Sequence, residues 1–199
     1  LAKRAACESV ILMKNDDGVL PVAKDKSIAL IGQMAKSPRY QGAGSSIINA
    51  IKLDNAWDAL VAQGYKAEYA QGYVKGVDKT DPALLQEAVE KAKAADVALV
   101  FAGLTEEFEA EGYDRTSIDM PSCHNELIRA VAAANPNTVV VLAGGSVVAM
   151  PWLAEVKGVL NSLLGGEAGG SAVARIIAGE VNPSGKTAET YPLAVSDNP

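Results

Sequence analysis

Runs of apolar, β-branched residues alternate along the chain with stretches of helical periodicity. The runs predict strands at residues 27–32, 66–70, 97–104, 138–143 and 156–164. Their continuous rather than alternating hydrophobicity is typical of strands buried on both faces, as in a parallel sheet. Helical patterns lie between them near residues 49–63, 82–94, 122–134 and 170–178, and another covers residues 1–15.

Local signals mark several helix ends. Asp81 can cap the helix that begins at Pro82, because proline is favoured at the first helical position. Helices are predicted to stop at Gly64 and at Asn135 before Pro136. The alternation predicts an α/β fold, a three-layer sandwich in which helices cover both faces of a mostly parallel, doubly wound sheet. No repeat or linker divides the sequence, so residues 1–199 are expected to form one domain.

The predicted topology indicates where a site should lie. In open α/β sheets, ligands bind outside the carboxyl ends of the strands. The loops that follow predicted strands are residues 33–46, 105–121, 144–152 and 165–170. We expect all of them to gather on one rim of the sheet, and site residues should lie among them.

Composition narrows the classes of function. Hydrophobic residues make up 49% and charged residues 21% of the 199 residues, which supports a full core, and the net charge is −6. Lys and Arg form no cluster of the kind that nucleic-acid binding needs, so no nucleic-acid partner is expected. No apolar run approaches the roughly 20 residues of a membrane span, so no membrane partner is expected either.

Cysteine and histidine usage argues against metal and thiol chemistry. Cys7 and Cys123 have no partner at metal-ligand spacing, and both are predicted to be buried as small hydrophobic residues. The single histidine, His124, rules out a two-histidine metal site, and we expect it on a helix surface. No G-x-S-x-G elbow is present for a serine nucleophile. The sequence therefore predicts neither a metal nor a cofactor.

The loop at residues 105–121 holds the densest set of candidate catalytic groups. Its charged and aromatic side chains are Glu106, Glu107, Phe108, Glu109, Glu111, Tyr113, Asp114, Arg115 and Asp119. A carboxylic acid can donate a proton to a leaving oxygen if crowding or burial raises its pKa. Arg115 could pair with one carboxylate and keep it ionised, which would leave another free to carry a proton. These patterns alone do not choose among the four glutamates.

Three other features of the sequence suggest different functions, and each is weaker than this loop. A solvated acidic surface loop is the simplest interpretation, but this loop exceeds the roughly 12–15 residues at which structureless loops become uncommon, and it mixes aromatic residues with charge. The segment SGKT at residues 184–187 lacks the glycine of a phosphate-binding loop, because Glu180 stands there. GAGSS and GGEAGG do not spell G-x-G-x-x-G and are interpreted as tight turns, so nucleotide binding is not predicted.

Several segments, in order, resemble the glycoside hydrolase family 3 enzymes of the β-glucosidase type. EAEGYDR (109–115) is similar to the acid/base segment of that family. The likeness extends to ESVILMKNDDGVLPV (8–22), SIALIG (27–32), PRYQGAGSS (38–46), ADVALVFAGL (95–104), NPNTVVVLAGGSVVAMPW (135–152) and GEVNPSGKTAETYP (179–192). Together, ordered motifs that span nearly the whole chain are far more specific than any one of them.

The resemblance implies a retaining exo-glycosidase in which a (β/α)8-type barrel carries the nucleophilic Asp and an α/β sandwich supplies the general acid/base. The glutamate before Gly-Tyr-Asp-Arg is Glu111, which is expected to protonate the glycosidic oxygen of a β-glucoside or oligosaccharide and then to deprotonate water. Its partner carboxylate would lie ~5–5.5 Å away. No barrel segment is recognisable, so we expect a fragment of a longer enzyme, inactive without the barrel domain.

The resemblance also implies roles for neighbouring residues. Those expected to bind substrate are Tyr40, Gln41, Ser45, Ser46, Phe108 and Tyr113, and those expected to order the acid loop are Asp114 and Arg115. Some relatives place an aromatic residue where Ser45 and Ser46 stand, and many read SGKLPxTFP where this chain has SGKTAETYP. The alternative hypothesis is a non-catalytic carbohydrate-binding or structural domain of the same fold, which would have no need of the Glu111 carboxylate.

Overall fold

Strands and helices alternate along residues 1–197, the part of the chain that the computed structural model describes. The strands are β1 (Ile11–Asn15), β2 (Ser27–Ile31), β3 (Lys66–Ala70), β4 (Val97–Gly103), β5 (Thr138–Ala143) and β6 (Gly158–Asn161). The helices are α1 (Ala2–Ser9), α2 (Ala56–Ala62), α3 (Pro82–Ala94), α4 (Ser122–Ala134) and α5 (Gly169–Ile177).

The strands form one sheet in the order β1-β6-β5-β4-β2-β3. The strands from β2 to β6 pair in parallel, and β1 runs antiparallel beside β6 at the edge. Every residue of β4 is buried, as expected for a central strand that is covered on both faces. The predicted α/β architecture with a mostly parallel sheet is confirmed.

Helices form a layer on each face of this sheet. α3 packs against α4, whereas α5 packs against both α1 and α2. The start of α3 is the one that the sequence predicts: the Asp81 side chain accepts hydrogen bonds from the N–H groups of Ala83 and Leu84 at 2.9 and 3.2 Å, and Pro82 takes the first helical position. These bonds satisfy donors that would otherwise lack intrahelical partners.

The predicted helix over residues 1–15 is wrong in its second half. α1 ends at Ser9, and Val10 adopts an extended conformation with φ −64° and ψ 135°. The following residues form β1, in which Ile11 lies opposite Asn161 of β6. The edge of β6 offers backbone hydrogen-bond partners to this apolar segment, and such long-range pairing overrides a local helical pattern.

Two further elements are shorter than their patterns indicate. α2 begins at Ala56 rather than near residue 49, because Asn55 caps it by accepting a hydrogen bond from the N–H of Asp58 at 2.8 Å. β6 covers Gly158–Asn161 rather than residues 156–164. Beyond it Leu163 has a positive φ of 52°, a conformation that ends the extended chain.

The prediction that His124 lies on a helix surface is wrong. His124 is buried, with Nδ1 3.0 Å from the carbonyl oxygen of Gly103 and its ring centroid 3.9 Å from that of Tyr73. Burial lowers the pKa of this imidazole to about 4. Cys7 and Cys123 are free thiols and buried, as the sequence predicts.

The strand order fixes where a crevice can form. β2 lies between β3 and β4, so the chain leaves β2 towards one edge of the sheet and leaves β4 towards the other. Ligands of open α/β sheets bind at such a switch point, beyond the carboxyl ends of the two strands. The segments that follow these strands, residues 32–55 and 104–121, carry Ser45 and Glu111. No helix within residues 1–197 has both the length and the apolar character to cross a membrane.

Candidate active site

Glu111 lies at the tip of a short turn in the loop that follows β4. Ala110 and Tyr113 form an antiparallel bridge, which leaves Glu111 and Gly112 between them. The Glu111 N–H donates to the carbonyl oxygen of Ala43 at 3.3 Å, and this bond ties the tip to the loop that follows β2. Because Glu111 is exposed, its carboxylate is accessible to groups outside this chain.

Ser45 contacts the Glu111 carboxylate twice. The Ser45 hydroxyl donates to Oε2 at 2.5 Å, and the Ser45 N–H donates to the same oxygen at 2.7 Å. The hydroxyl first, and then the N–H, hold the pKa of Glu111 below its ordinary value, because both bonds favour the ionised form. Carboxylate crowding was expected to raise the pKa of an acid in this loop; these contacts act in the opposite direction.

Glu109, two residues before Glu111, is the carboxylate that an arginine holds. Nη1 of Arg39 lies 2.9 Å from Oε2 of Glu109, and Arg39 is buried. The same oxygen accepts the N–H of Gly145 at 2.9 Å, while Oε1 accepts the Ser146 hydroxyl at 2.6 Å. Glu109 therefore joins the loop after β4 to the loops after β2 and β5.

Arg115 makes contacts of another kind. Its Nη1 donates to the Ser146 hydroxyl at 2.9 Å and to the carbonyl oxygen of Val147 at 2.8 Å, and its Nη2 donates to the carbonyl oxygen of Asp119 at 3.3 Å. The expectation that Arg115 pairs with a carboxylate of the loop is wrong, because Arg39 takes that position. These bonds support the ordering role expected for Arg115, which stays a prediction.

Tyr40 and Gln41 brace the loop that follows β2. The Gln41 amide donates to the Ile48 carbonyl oxygen at 2.9 Å and accepts the Ile48 N–H at 3.0 Å. The Tyr40 hydroxyl donates to that same carbonyl at 3.1 Å and accepts a bond from Gln41 at 2.8 Å. Ser45 and Ser46 are exposed between these anchors. The substrate-binding roles expected for these four residues stay predictions.

Phe108 and Tyr113 lie apart from the Ser45 contacts. Both line a cleft of about 560 Å³, to which Asp114 and Arg115 also contribute. Tyr113 is half-exposed, and its hydroxyl donates to the carbonyl oxygen of Glu106 at 2.6 Å. The residues expected to bind substrate thus fall into two groups, one beside Glu111 and one along this cleft. Asp114 is exposed, and its ordering role also stays a prediction.

The predicted gathering of four loops on one rim is confirmed. The loop after β4 bonds to the loops after β2 and β5 through Glu109 and Glu111. The loop after β6 joins them where the Gly166 N–H donates to the carbonyl oxygen of Tyr40 at 2.9 Å. Within residues 1–197, no set of three or more His, Cys, Asp or Glu side chains is arranged to hold a metal ion.

Arg39 is the residue of this edge that sequence reasoning missed. It stands in PRYQGAGSS, where the glycines and serines carry the resemblance to family 3 loops. A positive charge in one strand-following loop, opposite a loop with six carboxylates, was the available signal. Burial of Arg39 could not be read from the sequence, because arginine is seldom buried unless it is paired.

Comparison with known protein families identifies the family of this chain. The model of the Glycosyl hydrolase family 3 C-terminal domain matches residues 10–199. The chain belongs to this family. Among curated relatives, Thermostable beta-glucosidase B of Acetivibrio thermocellus is 50% identical over 202 residues, and Exo-alpha-(1->6)-L-arabinopyranosidase of Bifidobacterium longum is 47% identical over 209 residues. Both alignments cover 100% of this chain, but 27% and 28% of those relatives.

Solved structures share the fold of this chain. The crystal structure of a GH3 beta-glucosidase from Bifidobacterium adolescentis superposes with a TM-score of 0.95 at 49% identity, covering 100% of this chain and 29% of that one. A beta-glucosidase from Kluyveromyces marxianus has the same fold, with a TM-score of 0.92 at 20% identity. The chain therefore spans less than a third of the length of the Acetivibrio thermocellus and Bifidobacterium relatives named above.

Proposed function

We propose that this domain supplies the general acid/base, Glu111, to a retaining exo-glycosidase that hydrolyses terminal β-D-glucosidic bonds. The observation that carries the proposal is the position of Glu111: an exposed carboxylate at the tip of an anchored turn in the loop after β4, bonded to Ser45 in the loop after β2. It stands in EAEGYDR, the segment that resembles the acid/base motif of family 3.

A retaining mechanism needs two carboxylates about 5–5.5 Å apart, one as nucleophile and one as acid/base. In this proposal the nucleophilic Asp comes from a barrel domain of the same polypeptide, since the relatives are more than three times as long as this chain. Glu111 protonates the glycosidic oxygen as the sugar transfers to that Asp. It then removes a proton from the water that cleaves the glycosyl ester.

The Ser45 contacts suit the second of these steps. Two hydrogen bonds favour ionised Glu111, which is the form that accepts a proton from water. The first step needs the protonated form. A nucleophilic carboxylate nearby raises the pKa of Glu111 by like-charge repulsion, and that repulsion disappears when the nucleophile becomes a neutral ester. In this proposal the nucleophile of the barrel domain favours protonated Glu111 for the first step, and Ser45 favours ionised Glu111 for the second.

The sugar is assigned from relatives. The two curated relatives carry the names of a beta-glucosidase and of an arabinopyranosidase, at 50% and 47% identity to this chain. We propose glucose for the terminal sugar. Parallel assays with an aryl β-D-glucopyranoside and an aryl α-L-arabinopyranoside test this choice, and a higher kcat/KM with the second substrate would replace glucose by arabinopyranose.

The test compares the complete polypeptide with the 199-residue chain. We expect the complete protein to hydrolyse an aryl β-glucoside, the isolated chain to show no turnover, and Glu111→Gln to slow the complete protein severely. Glu106→Gln is the matched control and should keep wild-type activity. Full activity of the isolated chain would refute the two-domain site. Unchanged kinetics in Glu111→Gln would favour the alternative of a non-catalytic domain.

A further inference from the structure

Arg39 is buried at the carboxyl edge of the sheet, and it is the one Arg, Lys, Asp or Glu among residues 1–197 whose side chain is shielded to this degree. Its guanidinium makes an ion pair with Glu109 at 2.9 Å. It also donates to two backbone carbonyl oxygens of the acid loop, that of Thr105 at 3.2 Å and that of Glu109 at 2.8 Å. Arg39 therefore holds both the side chain and the backbone of the segment that leads to Glu111.

A continuous chain of polar contacts crosses the base of the Glu111 turn. It runs from Arg39 to Glu109, from Glu109 to the Ser146 hydroxyl at 2.6 Å, and from that hydroxyl to Arg115 at 2.9 Å. Glu109 precedes the Ala110–Tyr113 bridge, and Arg115 follows it. Both ends of the turn are thus fixed to neighbouring loops, while the tip remains exposed.

A contribution to the stability of the fold is a poor explanation for the presence of a buried arginine at position 39. Desolvation of a guanidinium offsets much of the attraction in a buried ion pair, and apolar replacements are often neutral or stabilising. Nε of Arg39 is buried and has no hydrogen-bond partner in the described part of the chain, which adds to that cost. The contacts that Arg39 does make converge on the backbone beside the candidate acid/base.

We propose that Arg39 is a positioning residue, which acts through Glu109 to hold Glu111 where it can deliver a proton to the leaving oxygen. This inference rests on the proposed acid/base role of Glu111. Displacement of a reacting group by about 1 Å can cost about 100-fold in rate. Loss of the Arg39 contacts releases the base of the turn and should produce a defect of this order in proton transfer.

The dependence of kcat/KM on the leaving group distinguishes a misplaced general acid from a non-specific loss of activity. In the complete polypeptide, kcat/KM is measured for phenyl β-glucoside, which needs a proton on departure, and for 2,4-dinitrophenyl β-glucoside, which does not. We expect Arg39→Met to lower kcat/KM about 100-fold for phenyl β-glucoside and only a few-fold for 2,4-dinitrophenyl β-glucoside. Arg39→Lys, which keeps the charge but not the fork of donors, should recover part of the loss.

Arg175→Met is the matched control. Arg175 makes a partly exposed ion pair with Glu180 at 3.1 Å, in the last turn of α5, and its replacement should leave both substrates unaffected. Equal losses for the two substrates in Arg39→Met, or none, would overturn the positioning role. If Arg39→Met does not fold, Arg39→Lys decides: a loss confined to the phenyl substrate supports the inference, and equal losses or none refute it.

Glu111→Ala is assayed in parallel to keep the two hypotheses apart. It should show the same selective loss as Arg39→Met, and larger. If Glu111→Ala lacks leaving-group dependence, the acid/base assignment fails and the positioning role fails with it. If Glu111→Ala shows that dependence and Arg39→Met does not, the acid/base assignment stands and the positioning role alone is refuted.

Discussion

Ser45 and Glu111 are 66 positions apart in the chain, yet the Ser45 hydroxyl and N–H both donate to one carboxylate oxygen, at 2.5 and 2.7 Å. The contact exists because β2 and β4 are neighbours in the sheet, so that the loops that follow them meet at the carboxyl edge. It places the proposed proton donor against a loop whose hydrogen bonds favour its ionised state.

Ser45→Ala should raise the pKa of Glu111. The hydroxyl is the larger cause of the lowered value, and the Ser45 N–H remains in the variant, so the pKa should rise towards the ordinary value without reaching it. Carbon-13 NMR titration of the side-chain carboxyl in the isolated chain measures the change. Ser46→Ala, which alters the adjacent exposed serine, should leave the titration unchanged. A lower pKa in Ser45→Ala would contradict the description of this contact.

Gly44→Ala should destabilise the loop beside Glu111. Gly44 has φ +108°, and an added Cβ would lie 2.6 Å from Oε2 and 2.7 Å from Cβ of Glu111. Strain in this backbone region costs about 1–3 kcal/mol, which urea unfolding of the isolated chain can measure. Gly112→Ala is the control, because a Cβ there meets nothing within 4 Å. Equal stability of the two variants would show that Gly44 is not required by its surroundings.

Stability should fall with acidification through His124. Its pKa is about 4 in the folded chain because burial disfavours the imidazolium, against 6.5 for the exposed group. Above pH 6.5 His124 is neutral in both the folded and the unfolded chain, and the free energy of unfolding is not reduced by its titration. As the pH falls from 6.5 towards 4, the unfolded chain binds a proton at His124 that the folded chain does not. The free energy of unfolding therefore decreases, by about 3 kcal/mol in total.

Urea unfolding of the isolated chain at several pH values between 4 and 7 measures this loss. His124→Gln removes the titrating group while retaining a polar side chain beside Gly103. The free energy of unfolding of the variant should therefore depend less steeply on pH than that of the wild type. Identical slopes would mean that His124 titrates alike in the folded and unfolded chains.

The strand–helix alternation was sufficient to predict the five parallel strands and the rim. The central strand β4 is a continuous, fully buried apolar run, and Asp81-Pro82 marks the start of α3 unambiguously. The pattern failed where a partner distant in sequence decides conformation. Ile11 is extended because β6 offers an edge, and His124 is buried because α4 turns that face towards Gly103.

For the candidate site as well, local features could be predicted from the sequence and long-range contacts could not. Glu111 could be predicted as the candidate acid/base, because EAEGYDR is a local feature of the sequence. The network around it was not, because Arg39, Glu109 and Ser146 lie in three loops that only the folded sheet brings together. The direction of the Glu111 pKa was missed for the same reason: Ser45, not neighbouring carboxylates, is the group in contact with it.

The most direct test of the central claim is the product that Glu111→Ala forms in azide. In the complete polypeptide with 2,4-dinitrophenyl β-glucoside, the glycosyl ester should accumulate for lack of a general base, and azide, which needs none, should release it. We predict faster turnover with azide and a glucosyl azide of β configuration, identified by NMR. No acceleration, or an azide of α configuration, would contradict the assignment of Glu111 as acid/base.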